Sequence, residues 1–212
     1  MAIEGFLLPV RFYGYDSVIY LVSALIGLAI AYKAYRLYSV SEKNQHYNLF
    51  VGFSILAVGL LTISLTSAYS YIKFFEQKEL LLFNGYFDVA DVGYWIYFGA
   101  SFLAYWFLIN MYAPDKKGVF LLSLPMTFNY YSYLNVGLFF FALYLAFRSA
   151  VSYFSNKNQN GFWVMGAFVL MAVYHAVLLF TPFFKGFYIL AHVFLILSFA
   201  FLLYMLIRVN RE

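Results

Sequence analysis

Uninterrupted apolar segments of about twenty residues, separated by short polar breaks, dominate this chain. A helix of that length crosses a hydrocarbon core of about 30 Å, because each residue adds about 1.5 Å. A transmembrane β-barrel would instead need alternating segments of about ten residues. Only 10% of the residues are charged, against about a quarter in soluble domains. The sequence therefore predicts an all-α, multi-pass integral membrane protein and excludes a soluble enzyme.

The polar breaks predict seven spans in one transmembrane domain, residues 1–212. The segment Val119 to Phe154 carries no charge until Arg148 and is too long for a single span. The polar cluster Asn129 to Asn135 is the predicted turn within it, which leaves a short fourth span that contains Pro125. The predicted spans are about 16–38, 48–72, 91–112, 118–132, 136–154, 162–181 and 186–209.

Basic residues predict the orientation. With the N-terminus outside, nine of the 13 Lys and Arg residues fall on the inner side and four on the outer side. Cytoplasmic loops carry the excess of Lys and Arg in membrane proteins. The prediction is an outer N-terminus and an inner C-terminus, in the cell membrane.

A short internal similarity indicates a repeat. Residues Ser41 to Leu56 align with Ser155 to Leu170 at a shift of 114, with six identities in sixteen positions. Both segments follow a span that runs from outside to inside, so a parallel arrangement of three helices, one linker helix and three helices is allowed. The alternative is a chance match, because polar loops draw on few residue types.

This layout is similar in outline to small sugar transporters with parallel triple-helix repeats. The Pro-Gln signature of those proteins is absent, since none of the four prolines here precedes Gln. Seven spans with an outer N-terminus also resemble microbial rhodopsins in outline. Those proteins need a Lys in the middle of the seventh helix, where this chain has His192, with Lys185 only at the mouth. Retinal binding is therefore not expected.

His175 and His192 are the two ionisable residues that the sequence places well inside the bilayer. They lie at equal offsets on either side of the turn at Pro182 to Lys185, about 12 Å below it. A polar imidazole in hydrocarbon would lack hydrogen-bond partners, so both rings are predicted to face the bundle interior. Tyr188, one turn before His192, is predicted to be an accessory donor to it.

Three interpretations of the histidine pair remain open. Each ring could hydrogen-bond a backbone carbonyl or a core hydroxyl such as those of Tyr174, Tyr188 and Ser198. The pair could bind a ligand or a proton, or it could hold a metal or a b-type haem. Helices packed 8 to 10 Å apart leave little room for a porphyrin, and a metal would normally need further ligands. No cofactor is predicted, and haem b is the alternative.

Aromatic residues in the third predicted span form a second candidate feature. Tyr94, Tyr97, Tyr105 and Trp106 occur at several depths, and buried hydroxyl or indole groups need partners. A pocket for a flat or amphiphilic ligand would supply them; the alternative is helix packing and lipid contact. The predicted ligand-binding residues are His175, His192, Tyr188, Tyr97 and Tyr105, and the two histidines are the sole metal candidates.

Two further patterns bear on the spans. Asp88 and Asp91 precede the third span and are predicted to cap its helix, with an outward-facing cation gate as the alternative. Ser23, Gly27 and Ala31 form a ridge of small residues, which predicts close packing of the first span against another helix.

No motif of a membrane enzyme is visible in this chain. There is no HExxH, no GxSxG, no phosphate-binding loop and no pair of intramembrane carboxylates. The predicted function is non-enzymatic: a ligand-binding, receptor-like or transport-like bundle, or a structural subunit of a membrane complex. A b-type haem or quinone-binding redox subunit is the alternative. Expected partners are lipid and a membrane protein or second copy, without nucleic acid, and the composition is compatible with an archaeal source.

Overall fold

A computed structural model describes residues 13–77, 82–83, 87–112, 131–181, 183–184 and 186–209. These residues form six α-helices and one short β-hairpin. The helices are α1 (Tyr13–Ser41), α2 (Asn44–Gln77), α3 (Val89–Asn110), α4 (Tyr131–Asn156), α5 (Gln159–Leu179) and α6 (Gly186–Val209). The hairpin pairs β1 (Leu82–Phe83) with β2 (Phe87–Asp88) in antiparallel register.

All six helices are long and apolar enough to cross a membrane. Large hydrophobic side chains such as Leu65, Phe147 and Ile189 are exposed on the outer surface of the bundle. Such a continuous apolar exterior is unfavourable in water and favourable against lipid tails. The fold is that of an all-helical bundle compatible with a multi-pass integral membrane protein.

The first two helices are longer than the sequence predicted, and their connection is shorter. α1 continues to Ser41 and α2 begins at Asn44, so most of the predicted loop after Tyr38 is helical. Glu42 makes the turn with a left-handed φ of 52°, and its N–H bonds the carbonyl of Tyr38. The polar residues end the apolar runs, but they do not end the helices. Neither Gly nor Pro interrupts α1 or α2 at these residues, so the helical backbone continues through them.

The predicted fourth span, 118–132, falls mostly outside the described residues. The predicted turn at Asn129 to Asn135 is wrong from Tyr131 onward, because α4 has already begun there. The cluster lacks a helix breaker, and its polar residues are tolerated within the first helical turns. Asp88 directly precedes α3 and Asp91 lies in its first turn, where a carboxylate interacts favourably with the helix dipole. The cation gate stays a prediction.

Contacts along the helices define their directions. Tyr20 packs on His192 and Gly27 lies near Phe199, so α1 and α6 run parallel. Tyr20 also packs on Tyr97, one turn beyond the bond between Asp16 and Tyr94, so α1 and α3 run parallel too. We call the end of the bundle where α1 begins the Asp16 end, and the opposite end the His46 end.

α3 and α4 also run in the same direction. Phe102 packs on Phe141 near the middle of the two helices, with ring centroids 5.7 Å apart. Arg148 donates to the carbonyl of Tyr112 at 2.9 Å, nearer the C-terminal end of each helix. Four helices, α1, α3, α4 and α6, therefore begin at the Asp16 end, and α2 and α5 return from the His46 end.

Small residues allow α1 to approach α2 closely. Ser23, Gly27 and Ala31 are all buried, as the ridge predicted. A Cβ on Gly27 would lie 3.4 Å from the Cβ of Ala57 on α2. The predicted close packing of this ridge is confirmed, and its neighbour belongs to the same chain.

Candidate functional site

A buried carboxylate lies where α1, α3 and α6 meet. Asp16, in the first turn of α1, is fully buried. The hydroxyl of Tyr188 donates to its Oδ1 at 2.5 Å, and the hydroxyl of Tyr94 donates to its Oδ2 at 3.0 Å. The two phenol oxygens are 3.4 Å apart. Asp16, Tyr94 and Tyr188 thus form a closed triangle, which we call the carboxylate cluster.

One helical turn deeper, the same three helices supply an aromatic layer. Tyr20, Tyr97 and His192 follow Asp16, Tyr94 and Tyr188 by three or four residues, so they lie on the same helix faces. The centroid of the Tyr20 ring is 5.8 Å from that of the Tyr97 ring and 5.1 Å from that of the His192 ring. This layer fills the space where α1, α3 and α6 meet, one helical turn deeper than the carboxylate cluster.

The two ring nitrogens of His192 differ in their hydrogen bonding. Its Nδ1 lies 2.8 Å from the backbone carbonyl of Tyr188, which can only accept, so Nδ1 carries the hydrogen. Nε2 is then a buried acceptor, and no group in the described part of the chain donates to it. The Tyr188 hydroxyl donates to Asp16, which is a stronger acceptor than a neutral imidazole, and its role as an accessory donor at a histidine site stays a prediction.

His175 occupies a separate position deeper in the bundle. Its Nε2 is 2.7 Å from the hydroxyl of Tyr105, and its Nδ1 is buried without a partner. The Tyr174 ring lies between the two histidines. Its centroid is 4.6 Å from that of the His175 ring and 5.7 Å from that of the His192 ring. The predicted inward orientation of both imidazoles is confirmed, because each is at most 1% exposed. Direct contact between them is not observed.

All five residues that the sequence singled out belong to one buried network. Tyr97, Tyr188 and His192 lie in the part of the network nearer the Asp16 end, while Tyr105 and His175 lie in the part nearer the His46 end. The hydroxyls of Tyr97 and Tyr174, 3.4 Å apart, connect the two parts. Their role in ligand binding stays a prediction.

Sequence reasoning missed Asp16 and Tyr20, and it named Tyr174 only as a possible partner of a histidine. Asp16 was counted as an outer boundary residue, because a carboxylate at the edge of an apolar run usually faces water. One available signal was the spacing of Asp16 and Tyr20, which places an acid and a phenol on one helix face. The partners Tyr94 and Tyr188 are far away in sequence and carry no local signal.

The space between the helices is open at the His46 end, opposite the carboxylate cluster. A cavity of about 310 Å³ lies at the His46 end, and its wall is formed by α1, α2, α4, α5 and α6 and by the turn that follows α3. The described polar residues of its lining are amides, hydroxyls and an imidazole, with no Asp, Glu, Lys or Arg among them: Gln45, His46, Tyr112, Ser149, Ser152, Asn158 and Asn160. Its deeper lining is apolar and includes Leu49, Phe168 and Leu202.

The polar residues of this cavity are uncharged hydrogen-bonding groups. The ring of His46 bonds Ser41 at 2.6 Å, and Asn158 caps α5 through the N–H of Asn160. Burial raises the pKa of the Tyr112 phenol, outweighing the opposite effects of Ser149 and Arg148, so this hydroxyl stays neutral. The described lining therefore offers hydrogen bonds to a polar group without supplying a full charge.

The histidine geometry does not favour a bis-histidine haem. Nε2 of His175 is engaged by Tyr105, and the Tyr174 ring fills the space between the two imidazoles. Among the described residues, no three His, Asp or Glu side chains come together as a metal site.

We expect the purified protein, as isolated and after incubation with haemin, to show no Soret band attributable to bis-histidine ligation. An absorption spectrum measures this directly. A stoichiometric Soret band that His175→Phe or His192→Phe removes would restore the redox interpretation.

No protein-family model matches the chain, and no curated protein or solved structure is significantly similar to it. The chemistry of the site rests on the residues of this chain alone.

Proposed function

We propose that the protein is a non-enzymatic carrier of the cell membrane that moves a small uncharged polar solute along the seam between two three-helix halves. One half comprises α1, α2 and α3, and the other comprises α4, α5 and α6. The observation that carries the proposal is the asymmetry of the seam. It is open at the His46 end, as a cavity of about 310 Å³, and closed at the Asp16 end by the carboxylate cluster and the aromatic layer.

Matching burial patterns support a repeat of the first three helices in the last three. In α1 the buried positions Ser23, Gly27, Ile30, Ala31 and Ala34 correspond, 115 residues later, to buried positions in α4. Those positions are Leu138, Ala142, Leu145, Ala146 and Ser149. The same shift relates the buried positions 52, 53, 56, 57, 59 and 60 of α2 to buried positions of α5.

The third helix of each half follows the pattern at a different shift. Buried positions 97, 98, 101, 104, 105 and 108 of α3 correspond, 94 residues later, to buried positions of α6. The change of shift reflects the longer α2 and the hairpin in the first half. Under this correspondence Tyr94 is equivalent to Tyr188, and these two hydroxyls approach each other in the carboxylate cluster.

Contacts between the halves support a two-fold relation. Under the two shifts, Gly27 is equivalent to Ala142, and Phe199 is equivalent to Tyr105. The contact between Gly27 and Phe199 therefore predicts a corresponding contact between Ala142 and Tyr105. The observed α3 to α4 contacts, Phe102 with Phe141 and Tyr112 with Arg148, follow that register to within two residues. The parallel direction of equivalent helices supports an axis along the membrane normal, an arrangement found in transporters with parallel repeats.

Helix direction also supports seven crossings. α3 ends at the His46 end, and α4, which runs parallel to it, begins at the Asp16 end. The described chain therefore leaves the bundle at the His46 end after α3 and re-enters it at the Asp16 end with α4. This arrangement is compatible with the predicted seventh crossing, which stays a proposal.

A solute entering from the His46 end would meet amides and hydroxyls first and the buried histidine network further in. Nε2 of His192 and Nδ1 of His175 are buried polar atoms that have no hydrogen-bond partner among the described residues in the closed arrangement. Such atoms cost free energy, and a polar ligand that bonded them would recover it. An uncharged solute with several hydroxyl or amide groups fits both regions.

Alternating access predicts opposite distance changes at the two ends of the seam. The chain has no Cys, so introduced cysteines can carry spin labels without background. One labelled pair is Lys43→Cys with Lys157→Cys at the His46 end, and the other is Tyr69→Cys with Phe183→Cys at the Asp16 end. In lipid nanodiscs we expect two distance populations for each pair, with the first shortening as the second lengthens. Double electron–electron resonance measures both.

Probe solutes test the substrate class. Glucose, sorbitol and acetamide are added separately, and at least one is expected to shift the two populations. A within-half pair, Lys43→Cys with Tyr69→Cys, serves as the control and should keep one distance. Single, unchanging distances for both inter-half pairs would contradict a carrier and would favour a structural subunit.

A further inference from the structure

The carboxylate cluster can hold one more proton than its two phenols supply. With Asp16 ionised, Tyr94 and Tyr188 donate two hydrogens, one to each carboxylate oxygen, and their own contact at 3.4 Å has no hydrogen in it. With Asp16 protonated, its O–H donates to Tyr188, Tyr188 donates to Tyr94, and Tyr94 donates to the other carboxylate oxygen. Three hydrogens then serve three contacts.

We propose that the carboxylate cluster is a proton-binding site, and that the bound proton holds the Asp16 end of the seam closed. The ligand is a single proton taken from water, and no other co-reactant is consumed. The protonation part rests on the cluster alone. The coupling to closure rests on the proposed carrier function.

Among the described residues no cationic side chain bonds Asp16, and its burial favours the neutral acid in the closed arrangement. Asp16 is fully buried, and the described groups that bond it are two neutral phenols. A buried carboxylate without a cationic partner carries a large desolvation cost, which protonation removes. The closed cluster is therefore built to retain the proton.

The cluster also joins the two halves. Asp16 and Tyr94 belong to α1 and α3, whereas Tyr188 belongs to α6. Separation of the halves at this end must break the contacts of Tyr188 with Asp16 and Tyr94, and water would then reach Asp16 and favour its ionisation. Proton affinity and closure are therefore linked: the closed state binds the proton, and the open state releases it to the Asp16 side.

Other titratable groups around the cluster come from each neighbouring helix. His192 is the strongest competitor for the proton, because its free Nε2 lies one turn deeper. Asp91 precedes Tyr94 by one turn on α3 and is nearly buried. The phenols are Tyr20 on α1, Tyr71 on α2 against Gly14, Tyr97 on α3 and Tyr174 on α5.

Infrared difference spectroscopy of the full chain in nanodiscs tests proton binding without any solute. We expect a carbonyl band of a protonated carboxylic acid that disappears reversibly as the pH rises. Asp16→Asn should abolish this band, and the matched control Asp91→Asn should retain it. Tyr188→Phe should move it to higher wavenumber, because the acid loses a hydrogen-bond partner. A band unchanged in Asp16→Asn, or a carboxylate signal alone at every pH, would overturn the proton site.

Spin-label distances between Tyr69→Cys and Phe183→Cys test the coupling. In the otherwise unaltered chain the ratio of open to closed populations should rise with pH, by up to about tenfold per pH unit for one linked proton. Asp16→Asn should stay closed at all pH values, because an amide accepts from Tyr94 and donates to Tyr188 as the neutral acid does. His192→Gln should keep the pH dependence, which separates Asp16 from its competitor.

The two measurements fail separately. Loss of the infrared result with two distance populations preserved would overturn the proton site and leave the carrier intact. A single distance at every pH, with the acid band present, would overturn the coupling and the carrier together while the proton site stands. A pH response that persists in Asp16→Asn would overturn the coupling alone.

Discussion

Gly93→Ala is expected to destabilise the bundle by about 3 kcal/mol, at the upper end of the range for overpacked cores. A Cβ at this position would lie 1.8 Å from the Oγ1 and 2.8 Å from the Cβ of Thr66 on α2. Rotation of Thr66 could move the hydroxyl but not its Cβ, so α2 and α3 must move apart. The midpoint of thermal unfolding in detergent, compared with that of the unaltered chain, measures the loss.

The chain offers a matched control on the same helix. Gly99 faces outward, and apart from its chain neighbours and its own helix backbone no described heavy atom would lie within 4 Å of an added Cβ. Gly99→Ala should therefore be neutral or stabilising by up to about 1 kcal/mol, because alanine favours helix more than glycine does. In the double variant Gly93→Ala with Thr66→Gly, the clash is removed and part of the loss should be recovered. Equal effects of Gly93→Ala and Gly99→Ala would contradict the close approach of α2 and α3.

Hydropathy made the helices predictable, but it set their ends only approximately. Apolar runs mark where a helix must avoid water, and all six described helices overlap predicted spans. The backbone continues as helix beyond the apolar run at Ser41 and Asn44, because polar residues are compatible with a helix in water. The residue at which a helix ends depends on local backbone features, such as the left-handed Glu42, that a hydropathy pattern does not contain.

Inward-facing histidines were predictable, whereas the carboxylate cluster was not. His175 and His192 lie deep in apolar runs, where a polar ring can only be accommodated against protein. Asp16 lies at the edge of its span, where sequence alone allows either water or burial. Its burial depends on Tyr94 and Tyr188, which are 78 and 172 residues away in sequence. Tertiary contacts at that separation decide the outcome.

The register of the proposed repeat shows a similar limit. Sequence identities near the polar connections suggested a shift of 114, but the buried faces of α1 and α4 match at 115. The identities involve residues such as Lys43 and Asn44 that water tolerates in many arrangements. Burial constrains the helix faces, and a slip of one residue would rotate a helix by about 100°.

Cysteine labelling is expected to place Lys43 and Lys157 on the same, cytoplasmic, side of the membrane and Phe183 on the outer side. Each position is exposed at a connection between helices, and the chain has no native Cys that would react. A membrane-impermeant maleimide added to intact cells should label Phe183→Cys and neither of the other two variants. The same reagent added to inverted vesicles should give the reverse pattern. The expected contrast is close to all or none, because a span isolates the two sides completely.

This experiment separates seven crossings from six, since the outcome for Lys157 differs between them. α1 ends beside Lys43 and α4 ends beside Lys157, and the two helices run in the same direction within the bundle. If residues 113–130 did not cross, α4 would have to run opposite to α3, and Lys43 and Lys157 would label from opposite sides. That result would contradict both the connecting crossing and the parallel repeat. Labelling of all three positions from reversed sides would instead preserve the repeat and overturn only the orientation that the basic residues predict.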